Sequence, residues 1–107
     1  MPDFLKIIQQ AQQMQGRLQQ LQEELARVTV VGAAGGGMVT IEADGNGRVR
    51  RVSIDPAAVN PADVELLEGL VLAAMGEAQR KAAEAAQAEM KNLTGGMNLP
   101  FPFQLPT

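Results

Sequence analysis

The chain has 107 residues and a net charge of −3 at pH 7, with 46% hydrophobic and 20% charged residues. That is room for one globular domain, and it is neither a disordered nor a membrane-spanning composition. Cys, His, Tyr and Trp are all missing and Ser53 is the lone serine. Disulfides, thiolate or imidazole metal sites, the usual general bases and aromatic base-stacking platforms are therefore excluded, and no enzyme activity, cofactor, metal or small-molecule substrate is expected.

The first residues, Met1-Pro2-Asp3-Phe4, run straight into a glutamine-rich pattern with neither a basic nor an apolar leader segment. The longest apolar run, Leu70 to Met75, falls far short of the roughly 20 residues a membrane helix needs. A soluble, cytoplasmic protein is expected.

Phe4, Ile7, Ala11, Met14, Leu18, Leu21, Leu25 and Val28 recur at alternating spacings of three and four, the a/d register of a heptad helix. Much of the remaining surface is glutamine: Gln9, Gln12, Gln13, Gln19 and Gln20. So narrow an apolar seam cannot be buried by its own helix and requires another.

Arg27 to Val31 is rich in β-branched residues and predicts a first strand. Gly32 to Gly37 reads as a loop. Met38 to Ala43 alternates, with Val39, Ile41 and Ala43 on one face, and predicts a second strand. Asp44-Gly45-Asn46-Gly47 is a hairpin-turn sequence. Arg48 to Ile54 predicts a third strand whose alternation slips, through a bulge near Arg50-Arg51 or a change of face. After Asp55-Pro56, Asn60 reads as a helix N-cap with Pro61 in the first turn. The second helix should run to about Leu93, where Gly95-Gly96 end it. Its first half is apolar; its second half, Arg80 to Met90, is poor in burial and is expected to project. The sum is an α+β fold: a helix, a three-stranded antiparallel meander and a long helix in one domain over residues 1–94. An apolar, proline-punctuated segment follows over 95–107 and is expected to dock loosely at most.

Few groups can carry chemistry. Gly32 to Gly37 lacks the Gly-Lys-Ser/Thr sequence and the following helix that a phosphate loop needs. Glu65 and Glu68 are neighbours on a helix face without supporting ligands, and read as solvated surface. The basic side chains remain. Lys6, Arg17, Arg80, Lys81 and Lys91 lie on the helices; Arg48, Arg50 and Arg51 crowd the third strand. Helical spacing also offers Glu77–Lys81 and Arg80–Glu84 as simple ion pairs.

The order of these elements, with particular residues, resembles the YbaB/EbfC family of bacterial nucleoid-associated DNA-binding proteins. The match rests on Gln10-Ala11-Gln12-Gln13-Met14-Gln15 leading into Leu21-Gln22-Glu23-Glu24-Leu25, and on Val31-Gly32 with Gly35-Gly36-Gly37-Met38-Val39. It continues through Arg51-Val52-Ser53-Ile54-Asp55-Pro56, then Leu67-Glu68-Gly69-Leu70-Val71 with Ala73-Ala74, and ends on Met90, Gly95-Gly96-Met97 and Leu99-Pro100. The chain departs from the family pattern at Gly69 and at Gly76-Glu77.

The resemblance implies a homodimer, intertwined or side by side, with projecting helical arms. It also implies duplex DNA binding, a nucleoid location and an effect on nucleoid organisation and gene expression. The unpaired seam asks independently for a partner helix. Leu18, Leu21, Leu25, Leu67, Leu70 and Val71 are the expected dimer contacts. The arm cations Lys6, Arg17, Arg80, Lys81 and Lys91 are the expected DNA grip, with Arg48, Arg50 and Arg51 in reserve. No helix-turn-helix spacing, zinc ligand or aromatic platform offers sequence readout, so specificity should be low. The alternative is a coiled-coil adaptor or chaperone-like module that clasps a protein and no nucleic acid.

Overall fold

The computed structural model describes residues 3–94; the expectation of loose docking for the segment from Gly95 onward lies outside them. Helix α1 (Asp3–Leu25) is followed by β1 (Thr29–Ala34), β2 (Val39–Asp44), β3 (Val49–Ile54), a 3-10 turn (Pro56–Ala58) and helix α2 (Val64–Thr94). The strands form an antiparallel sheet in the order β1-β2-β3. The whole is elongated, 71 × 23 × 19 Å.

Period-two patterning does what it should on β2. Val39, Ile41 and Ala43 are fully covered and meet Ala74 and Ala78 of α2 in the core. The expected slip in β3 is a bulge. Glu42 pairs with Arg51 but Ala43 pairs with Val49, leaving Arg50 as the extra residue.

Two boundaries differ from the sequence reading. Strand β1 extends through Gly32-Ala33-Ala34, and only Gly35 to Met38 turn. Gly32 is in the strand because α2 lies against it: a Cβ there would sit 2.1 Å from the Ala74 carbonyl oxygen and 2.4 Å from the Ala78 nitrogen. Only glycine lets strand and helix backbones approach this closely. Ala74, Ala78 and Ala82, four residues apart, form the matching buried ridge on the helix. Helix α2 starts later than expected. Asn60 accepts from Ala62 N–H in a turn, and it is Asp63 Oδ1 that accepts from Leu66 N–H at the helix start.

The β2–β3 turn closes the end of α1. The last carbonyls of a helix have no intrahelical donors, and here Gly45 N–H bonds Leu25 O, Asn46 Nδ2 bonds Gln22 O, and Arg50 bonds Ala26 O. Leu25 and Leu21 are consequently buried. Further along, Arg17, Gln20, Leu21 and Glu24 line one concavity with Glu89 and Asn92 of α2. Ala82, by contrast, lies by the Gly45–Gly47 turn, beside Leu25. The two helices thus run antiparallel, and α1 upstream of Arg17 lies toward and beyond the end of α2. Both the later half of α2 and α1 extend past the sheet as one arm.

Candidate nucleic-acid interface

Positive side chains on this acidic chain divide into those neutralised by their own fold and those left open. Lys81 belongs to the first group. Its Nζ bonds Val31 O at 2.8 Å and pairs with Glu77 at 3.1 Å. Lys81, and then Ala33 N–H, hold the Glu77 carboxyl below its ordinary pKa. The pair therefore satisfies backbone groups on the outer edge of β1, a structural closure of that edge. Arg80 pairs with Glu84 at 2.6 Å one turn on.

Arg50 is likewise occupied. Besides capping α1 at Ala26 O, it approaches the buried Asp44 carboxylate at 3.3 Å. Asp44 Oδ1 accepts from Arg48 N–H at 3.0 Å and Asn46 N–H at 2.9 Å. Arg48 N–H, outweighing the cost of burial, together with Asn46 N–H and the Arg50 and Arg48 charges, pulls this carboxyl below the ordinary range. A side chain holding the turn, the bulge and the helix end together is poorly placed to serve a ligand.

Lys6 and Arg17 on α1 and Arg48 and Arg51 on the hairpin are exposed and carry no side-chain ion pair among the described residues. Arg27, just after α1 and absent from the expected grip, belongs with them; its position beside a helix end was the available signal. Lys91 is exposed near the end of α2. On α1 the spacing matters. Lys6, Gln10, Gln13, Arg17 and Gln20 follow at four, three, four and three residues, forming one stripe of amides and cations. Gln10, Gln13 and Arg17 line a shallow concavity with Met14. Acids stand only at the two ends of this stripe: Asp3, one turn before Lys6, and Glu24, one turn after Gln20 at the root of the helix.

The expected dimer contacts separate in the same way. Leu21 and Leu25 are covered by their own chain, and Leu67, Leu70 and Val71 are half-buried against its own core. Leu18 is exposed. A larger apolar surface lies elsewhere. Val52 and Ile54 of β3 stand opposite Ile41 and Val39, on the face that α2 covers only over β1 and β2, and remain exposed. On the helix, Leu67, Val71, Leu72 and Met75 line an almost wholly apolar groove, and Leu72 is 74% exposed.

Among the described residues there is no cluster of acids that could hold a metal ion, and no helix long and apolar enough to cross a membrane. A sequence profile of the YbaB/EbfC DNA-binding family matches residues 1–97. The chain belongs to that family. Similar curated relatives include a nucleoid-associated protein of Gemmatimonas aurantiaca, 46% identical over 99 residues, covering 92% of this chain and 95% of the relative. A nucleoid-associated protein of Afipia carboxidovorans is also 46% identical, over 100 residues, covering 94% and 95%. Among solved structures, an uncharacterised protein of Helicobacter pylori superposes with a TM-score of 0.68 at 24% identity, covering 89% of this chain and 96% of that one. That likeness concerns the fold.

Proposed function

We propose that this YbaB/EbfC-family chain is a homodimeric nucleoid-associated protein that binds duplex DNA with low sequence specificity, chiefly through the amide-and-cation stripe of α1. The observation carrying this reading is the contrast between α1 and α2: among the described residues Lys6 and Arg17 make no ion pair, whereas Arg80 and Lys81 pair with Glu84 and Glu77. Open cations can exchange counterions for phosphates, while glutamine amides donate to phosphate and sugar oxygens without carrying a base code. The hairpin arginines Arg48 and Arg51, with Arg27, extend the same positive surface to the root of the arm. Occupancy of chromosomal DNA would place the protein in the nucleoid and affect gene expression.

The second copy is best accommodated on the β3 side. Edge β1 is closed by Lys81 and Glu77, whereas the inner face of β3 and the α2 groove leave Val52, Ile54, Leu72 and Met75 as one apolar surface to be buried. Pairing there would set the two arms on one assembly.

A gel shift with two unrelated duplexes across a salt series tests the reading. Similar affinities that fall steeply with salt support it. A complex on only one duplex overturns the low specificity, and no complex at low salt transfers the protein to the adaptor class.

A further inference from the structure

The outer half of α1 carries a second surface, distinct from its amide-and-cation stripe. Phe4, Ile7, Ala11 and Met14 continue the heptad seam beyond Leu18, but no element of the described chain covers its tip: Phe4 is 67% and Ile7 60% exposed, with Ile8 beside them also exposed. An apolar stripe on a projecting helix needs an occupant.

Position and sequence identify one. The chain leaves α2 at Thr94, just past Asn92, which faces Arg17 across the inter-helix concavity. Because the helices are antiparallel, α2 at that point is heading toward the tip of α1. The residues that follow, Met97-Asn98-Leu99-Pro100-Phe101-Pro102-Phe103-Gln104-Leu105-Pro106, place apolar side chains at every odd position and Asn, Pro or Gln at every even one. In an extended chain, alternate side chains share one face. From Arg17 back to Phe4 a helix covers about 20 Å at 1.5 Å per residue. An extended segment over residues 95–107 with strand-like alternation reaches about 40 Å at roughly 3.3 Å per residue, ample for the distance.

We infer that the segment Met97–Leu105 docks along the apolar stripe of α1 in its own chain, running from Met14 toward Phe4 and seating Leu99, Phe101 and Phe103 on Ala11, Ile7 and Phe4. The sequence by itself offers the two phenylalanines no partner; the uncovered stripe supplies one. The even positions would then face solvent, and the exposed seam of the arm would be covered. The inference is independent of DNA binding.

The absence of cysteine makes the test direct. A single Gln104→Cys substitution, at a position outside the expected contact, takes one nitroxide label. In the isotope-labelled full chain, amide signals of Phe4, Ile7, Ile8 and Ala11 should lose most of their intensity and recover on reduction of the nitroxide. The additional Phe101→Ser/Phe103→Ser change should restore them while the signals of β2 stay in place, showing an intact fold. Unchanged α1 signals overturn the inference, as does broadening confined to Val52, Ile54 and Met75. Mixing spin-labelled chain without isotope with isotope-labelled chain without nitroxide should give no broadening; broadening there assigns the stripe to a second copy and overturns it too.

Discussion

The two helices are of similar design in sequence, each with an apolar seam and scattered charges, yet they have opposite fates. Helix α2 is anchored: its alanine ridge lies against Gly32, Lys81 bonds Glu77 and Val31 O, and Arg80 pairs with Glu84. Helix α1 is held only at its root, where Leu21 and Leu25 are buried and the hairpin turn supplies donors to its last carbonyls. Beyond Leu18 it keeps its cations and its seam open. A basic residue is thus a candidate ligand only after the fold's own acids and carbonyls have been served.

The contrast breaks most severely at the anchor. Gly32→Ala would drive a methyl into the α2 backbone, and we expect about 3 kcal/mol or more of destabilisation by chemical denaturation, at or above the upper end of overpacking effects. Leu21→Ala should cost about 3 kcal/mol as a buried truncation. Ile7→Ala, the same kind of change at the tip, should cost less than about 1 kcal/mol in thermal melts. Equal losses at the two positions would show that α1 is anchored along its length.

Asp44 links root and sheet and makes the anchor acid-sensitive. Its folded pKa is lowered, so its contribution is complete above the ordinary carboxylate range and is lost as pH falls through the depressed folded value. Asp44→Asn should weaken the fold at neutral pH by about 2 kcal/mol, through the impaired partnership with Arg50. The variant should also show a shallower stability decline as pH falls below the ordinary carboxylate range, because it lacks the group whose lowered folded pKa contributes to that decline. The smallest effects belong to Gly69 and Gly76. A Cβ at either meets nothing within 4 Å among the described residues of the single chain. Each Ala substitution should therefore stabilise by up to about 1 kcal/mol from helix propensity. Destabilisation that grows with protein concentration would place these glycines in the contact between copies.

The order of elements, the core face of β2 and the bulge were legible because each depends on local periodicity or turn chemistry. Gly32 was not. A run of Gly and Ala looks like a loop locally, and its place in β1 depends on a helix some forty residues later. The start of α2 was obscured by two capping sequences in succession, of which Asp63 rather than Asn60 precedes the helix. For the candidate interface, the i,i+4 pairs of Arg80 and Lys81 could be read from spacing. The bonds of Lys81 to Val31 and of Arg50 to Ala26 could not, because they join residues that only the tertiary fold brings together.

The proposed division of labour between the helices is tested most directly by asking which of them DNA binding depends on. Salt-dependent binding of one duplex should be measured for the Lys6→Gln/Arg17→Gln and Arg80→Gln/Lys81→Gln double variants, after circular dichroism shows both folded. In a dimer the α1 pair removes up to four phosphate contacts, so the slope of log K against log salt should flatten by up to about 3 to 4, at about 0.9 per contact. The α2 pair should leave it within about 1 of the parent. The reverse pattern, with α2 substitutions flattening the slope and α1 substitutions leaving it unchanged, would contradict the assignment of α1 as the helix that grips DNA.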